Sequence, residues 1–299
     1  MFWIFYALVG PFLWAICNIL NKIIRTKHLD SSRIYVIFIG FAGLLSFLVI
    51  PFYGFEMPGL TTIFLGLLIG IIQSFACIIY LKTLSFEEVA RVIPLFRFVA
   101  IFVLIFATIF LKETLNLYLY IAFFMLVIGG FIISLRRIEG VFRLSNAIYF
   151  IFIASMLYAT AGVLLKYISG FTQFSTYFVL SRSGFFITSL VLLFVYFKKF
   201  KSALSSLNLK SLSLILVTEL LGLTGGFSAY YAISIAPISL VNAVESFHPL
   251  FVFVFASLFA FKYPHLLKEE LNWKTLLIKS IAILIMIGGV LLIYLKWTY

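Results

Sequence analysis

The sequence predicts an all-α polytopic membrane protein, with ten transmembrane helices arranged as two inverted five-helix repeats around a central cavity. Three observations carry that prediction: an apolar composition, ten apolar runs of spanning length, and two halves that share features in the same order. Of 299 residues, 64% are hydrophobic and 11% charged, with a mean hydropathy of +1.21. A water-soluble domain carries roughly 45–50% apolar and ~25% charged residues. This chain has too few polar groups to cover a soluble surface, so lipid is its solvent.

A spanning helix needs ~20 mostly apolar residues, because the hydrocarbon core is ~30 Å thick and each residue rises ~1.5 Å. Ten such stretches follow one another at about 2–24, 33–53, 60–82, 90–111, 116–135, 146–168, 174–197, 211–235, 240–261 and 273–296. The loops between them are short and leave no room for an inserted soluble domain. Barrel strands would alternate apolar and polar over ~10 residues, and the run from Phe98 to Phe110 does not alternate. The first stretch has no basic start and is interrupted by Asn18 and Asn21, so it reads as a retained helix rather than a signal peptide. Cys17 and Cys77 both fall inside predicted helices, which argues against a disulfide framework or a metal site. No cofactor is expected.

The net charge of +12 is distributed as a topology signal. Arg25, Lys27 and Arg33 flank the first loop, and Arg136, Arg137 and Arg143 the fifth. Lys198, Lys199, Lys201 and Lys210 flank the seventh, and Lys262, Lys268 and Lys274 the ninth. The second, sixth and eighth loops hold no Lys or Arg, and the fourth only Lys112. All strongly basic loops therefore share one face, which the positive-inside rule makes cytoplasmic. That expectation places the chain in the cell membrane with both termini outside, and it excludes nucleic acid as the partner of the positive charge.

The halves divide as 1–140 and 141–299. Leu13-Trp14-Ala15 with Lys22 in helix one matches Leu157-Tyr158-Ala159 with Lys166 in helix six. Helices five and ten both close on Gly-Gly and an apolar run, at Gly129-Gly130 and Gly288-Gly289. Lys112-Glu113-Thr114-Leu115-Asn116 and Lys268-Glu269-Glu270-Leu271-Asn272 precede them. Five is odd, so two fused units of five helices lie in opposite orientations, as in many secondary transporters. A shift of 151 residues pairs Tyr80 with Tyr231, ends two helices together at Phe110 and Phe261, and leaves Pro94 without a mate. It makes Arg97 and His248 mates, with Arg97 near the cytoplasmic end of helix four and His248 near the outer end of helix nine, at opposite mouths.

These residues, with Pro249-Leu250-Phe251 in helix nine, resemble the EamA family of the drug/metabolite transporter superfamily. The resemblance implies ten helices around a central cavity and the movement of small metabolites, often amino acids, out of the cell.

Charge at the bilayer centre costs ~2.5 kcal/mol or more, so polar residues there face a cavity or a partner. Trp14, Asn18 and Lys22 share a helix face by their i, i+4, i+8 spacing; the plain alternative is a packing Trp and a snorkelling Lys. Asn242, Glu245 and His248 recur every third residue, as a site or as an interhelical hydrogen-bonding face. Glu219 stands two turns into helix eight, as a functional carboxylate or one paired with Lys or Arg. Arg182 is a candidate contact for an anionic group. Gln73, Tyr80, Arg97, Tyr158 and Tyr231 complete the candidate wall, and Arg91 reads as an anchor. Gly66 with Gly70, and Gly222 with Gly226, read as close-packing pairs.

No catalytic motif is present, and Ser246 and His248, two apart on a helix, diverge. The expectation is a secondary transporter, not an enzyme, exporting or exchanging a small polar metabolite by alternating access, with protons as the candidate coupling ion at Glu219 or Glu245. An intramembrane enzyme and a non-transporting scaffold are the rival classes. A monomer and a homodimer fit the sequence equally.

Overall fold

In a computed structural model, residues 2–29, 31–86, 92, 95–134, 146–260 and 273–296 are described. They are all-helical, and no strand occurs among them. Among the described residues, eight helical spans are long and apolar enough to cross a membrane, and two more apolar helices, Phe98–Phe110 and Leu117–Ile132, are shorter. The fourth and fifth predicted stretches correspond to these two. Arg91, Pro94 and the segment from Tyr263 to Asn272 lie outside the described residues.

In chain order the helices are α1 (Phe2–Lys27), α2 (Ser32–Gly43), α3 (Ile50–Tyr53), α4 (Leu60–Phe86), α5 (Phe98–Phe110), α6 (Leu117–Ser134) and α7 (Asn146–Ile168). There follow α8 (Phe174–Val195), α9 (Phe197–Ser206), α10 (Leu209–Ile235), α11 (Ile238–Val244), α12 (His248–Ala260) and α13 (Trp273–Lys296). Two predicted spans are not single helices. The second is α2, a 3₁₀ segment Leu44–Val49 and α3 in succession; the ninth is α11, a 3₁₀ turn Glu245–Phe247 and α12.

Pro249 causes the second interruption. Proline has no N–H, so the bond that residue 249 would donate to the Glu245 carbonyl cannot form. The backbone tightens instead, and the His248 N–H reaches the Glu245 carbonyl. The seventh loop also differs from expectation, because it holds α9. Phe197, Phe200 and Leu204 recur at helical spacing, with Lys198 and Lys199 on the opposite face. Phe200 packs against Phe38 as a tilted ring pair, with centroids 5.2 Å apart, which ties α9 to α2.

Packing follows the small residues. The main partnerships are α1 with α10, α4 with α7 and α8, α2 with α8, α5 with α7, α1 with α12, and α6 with α13. A Cβ on Gly70 would stand 1.8 Å from the Ser181 carbonyl oxygen, and one on Gly184 would stand 1.9 Å from that of Leu67. The α4–α8 backbones thus touch where side chains would otherwise stand, and Gly66 and Gly70 form the predicted close-packing pair. Gly222 does not, since a Cβ there would meet nothing within 4 Å. Gly70→Ala should therefore destabilise the chain by about 1–3 kcal/mol through overpacking, whereas Gly222→Ala should leave the unfolding midpoint unchanged. Denaturation of the two variants in detergent micelles checks the contrast.

Candidate functional site

A cavity of about 330 Å³ opens in the middle of the bundle. Its wall is built by α1, α2, α4, α5, α7, α8, α10 and the α11–α12 break. From α1 it receives Trp14, Cys17, Asn18 and Asn21, spaced i, i+3, i+4, i+7 and therefore on one face. Of the sequence-predicted residues, Trp14, Asn18, Gln73, Tyr80, Arg97, Tyr158, Arg182, Glu219, Asn242, Glu245 and His248 border it.

Lys22 and Tyr231 are not part of this wall. One residue along a helix is a rotation of about 100°, so the α1 stripe runs through Asn21 and turns Lys22 aside. Tyr231 packs against Tyr6 and Phe174, with ring centroids 4.7 and 5.5 Å apart.

The break in the ninth span organises one side of the cavity. Arg97 Nη1 donates to the Glu245 carbonyl at 3.0 Å, and Nη2 lies 3.4 Å from His248 Nδ1. Asn18 Nδ2 lies 3.0 Å from His248 Nε2, and Asn18 Oδ1 accepts from the Tyr80 hydroxyl at 3.3 Å. Tyr80, Phe96 and Tyr158 continue as an aromatic wall, with centroids 5.0 and 5.4 Å apart.

This geometry corrects one expectation. Arg97 and His248 do not occupy opposite mouths; they touch each other, and both are buried. His248 opens α12, midway between Ile238 and Ala260, rather than lying near the end of its span.

Elsewhere on the wall, Gln73 and the Tyr230 hydroxyl are hydrogen-bonded at 2.7–2.9 Å. The Trp14 indole N–H donates to the Gly222 carbonyl at 3.4 Å. Glu219 is buried, and Arg182 is a cation whose charge acts on it without a direct hydrogen bond. The Tyr35 hydroxyl stands between its carboxylate and Asn21 Oδ1, to which it donates. Asn242 donates to the Ile238 carbonyl within its own helix at 3.2 Å. Ser246 Oγ approaches the Asn242 carbonyl, not His248, so no nucleophile–base pair forms there.

Tyr35, Asn21 and Phe96 are participants that sequence reasoning missed. Asn21 completes the i, i+7 spacing from Trp14 and was open to detection on that ground. Tyr35 shares no motif with Glu219, and only the fold brings them together.

A second group closes the turn between α10 and α11. Lys166 Nζ donates to the Ile233 and Ala236 carbonyls, both at 2.8 Å. The Glu113 carboxylate accepts the Ile238 and Ser239 N–H groups, both at 3.1 Å. The cation satisfies carbonyls at a helix end and the anion satisfies amides at a helix start, the arrangement that orphan backbone groups favour. Lys112, with φ of 54°, ends α5 in the left-handed region, and the Glu113 N–H bonds the Ala107 carbonyl at 3.1 Å. The Lys and Glu that recur in both halves of the sequence here hold a turn.

The comparisons with known proteins bear on both fold and class. Residues 1–135 match the EamA-like transporter family, a family of membrane transporters within the drug/metabolite transporter superfamily. A solved protein crystal structure superposes with a TM-score of 0.71 at 10% identity, covering 98% of this chain and 96% of its own. That likeness concerns the fold. No curated protein matches the sequence.

The two cavity arginines differ in what they hold. Arg97→Met should cost about 1–3 kcal/mol, because it strips a donor from the buried Glu245 carbonyl and from His248. Arg182→Met should cost less than Arg97→Met, because it strips no hydrogen bond from a buried carbonyl. Denaturant titration of the purified variants measures both.

Proposed function

We propose that this chain, whose first 135 residues match the EamA-like transporter family, is a secondary transporter that exports or exchanges a small polar metabolite, such as an amino acid, by alternating access. One observation carries the reading: a single central cavity whose wall takes polar side chains from both halves of the chain, Asn18, Gln73 and Arg97 from one and Arg182, Glu219 and His248 from the other. A scaffold has no use for such a cavity, and among the described wall residues no nucleophile is hydrogen-bonded to a histidine base.

The helix partnerships support two inverted five-helix repeats. Exchanging α1 with α7, α2 with α8, α4 with α10, α5 with α11–α12, and α6 with α13 turns the α1–α10 pair into α7–α4. It turns α5–α7 into α12–α1, and it leaves α6–α13 and α2–α8 unchanged. All of these pairs are packed. One pair departs from the exchange: α4 packs closely along α8, while α10 barely meets α2. The cavity occupies that gap, bordered by Ile39 and Gly43 of α2 and by Thr218, Glu219 and Gly222 of α10.

Near-symmetry with one broken pair is what alternating access requires, since the opposite state follows when α10 closes on α2 and α4 parts from α8. The contact of Arg97 with His248 fits the same scheme. Mates related by a two-fold axis touch each other where they lie on that axis. The Lys166–Glu113 clasp lies at the end of α10 that the positive-inside rule makes external, away from the gap beside α2, and it holds the turn there shut.

Glu219 and Glu245 are the carboxylates that border the cavity, and we assign proton coupling to this pair. A growth-toxicity screen of an overexpressing strain against amino acids and their analogues identifies cargo, which is then followed into proteoliposomes. Wild type should concentrate it against a gradient. At least one of Glu219→Gln and Glu245→Gln should keep exchange and lose accumulation driven by a pH gradient. If both variants concentrate cargo like the wild type, the pair does not couple transport; if the wild type moves nothing, the transporter reading fails.

A further inference from the structure

Two arginines border the central cavity, and their donors meet different fates. Arg97 is committed to the Glu245 carbonyl and to His248. Arg182 makes no hydrogen bond to any described residue, and its Nε is buried without a partner. Its Cζ lies 5.5 Å from the Phe178 ring centroid and 5.4 Å from that of Tyr230. Aromatic faces attract a cation but accept nothing along its N–H edge.

Gly226 makes the room for this side chain, because a Cβ there would stand 2.9 Å from Arg182 Nη2. Glu219 accepts no hydrogen bond from Arg182; the guanidinium acts on it only through its charge, and the Tyr35 hydroxyl is the group that hydrogen-bonds the carboxylate. A guanidinium fork held at mid-membrane with unmet donors is matched to an acceptor that arrives from outside the chain.

The space beside it is apolar and open. A Cβ on Gly222, one turn from Gly226, would meet nothing within 4 Å. Trp14, Phe96 and Tyr158 border the same cavity. The Trp14 N–H does not compete for the anion, since it already donates to the Gly222 carbonyl. The volume of about 330 Å³ is at the small end for ligand pockets.

We propose that Arg182 is the residue that binds the cargo's anionic group, and that the cargo is a small organic carboxylate with an apolar or aromatic body lying over Gly222. One uncommitted cation among the described wall residues, in mostly apolar surroundings, suits a singly charged carboxylate better than a dianionic phosphate. The proposal deepens the transporter reading and rests on it only in treating the ligand as cargo.

Thermal unfolding of the purified full chain in micelles tests it, with 3-phenylpropionate, its neutral amide and phenylphosphonate as probes. The carboxylate at millimolar concentration should raise the midpoint, and the amide should not. Arg182→Gln should weaken the apparent carboxylate affinity by about tenfold to a hundredfold. Arg182→Lys, which keeps the charge but loses the planar fork, should fall between, and it carries the test if the Gln variant shows no cooperative transition. The proposal is overturned by equal stabilisation from the amide, stronger stabilisation from the phosphonate, a wild-type response in Arg182→Gln, or no response of the wild type to the carboxylate. A carboxylate that binds through Arg182 but is not carried into proteoliposomes would remove the transporter reading instead and leave this site standing.

Discussion

Hydrocarbon accepts no hydrogen bonds, so each backbone group freed inside a membrane protein needs a partner from the protein itself. Pro249 frees one by deleting the N–H that would have reached the Glu245 carbonyl. The answer comes from a distant part of the chain, where Arg97 donates to that carbonyl and comes within reach of His248. Through His248 the same cation orders Asn18 and Tyr80. A proline in the second half of the chain thus recruits an arginine from the first. That one constraint joins the halves at the centre of the molecule and builds one wall of the cavity.

The turn at the other end of α11 is governed by the same requirement. Ile233 and Ala236 offer carbonyls at the close of α10, and Ile238 and Ser239 offer amides at the start of α11. Lys166 and Glu113 supply the matching charges from two other helical hairpins. Both ends of this short helix are held by side chains from elsewhere, so it can be repositioned only together with those partners. The clasp and the Arg97 bridge hold opposite ends of α11 within one broken span. Between them α11 contributes Asn242 to the cavity wall.

Much of this was legible in the sequence because the physics was local. Composition alone requires lipid as solvent, and apolar runs of spanning length place the helices. Polar residues in those runs border one cavity because exposing them to lipid is costly. What escaped depends on contacts between distant segments or on rotation about a helix. Lys22 was separated from Asn21 only by the face of α1. Tyr35 meets Glu219 only after α2 and α10 approach. The pairing of Arg97 with His248 followed from the repeat, but their meeting place did not, because the interruption at Glu245–Phe247 moves His248 to the middle of its span. The amphipathic Phe and Lys pattern of α9 is present in the sequence, yet its short length reads as a loop until Phe200 finds Phe38.

The central claim is that one cavity between two halves opens to one side of the membrane at a time. Gly222 is the place to test it, because its Cβ position is open and it borders that cavity. The measurement is labelling of Gly222→Cys by a membrane-impermeant maleimide in oriented vesicles, after Cys17 and Cys77 have been replaced by alanine. The account predicts that conditions exposing position 222 from one face protect it from the other, and that substrate shifts the balance between faces. Simultaneous labelling from both faces, as in an open channel, or no labelling from either face under any condition, would contradict it.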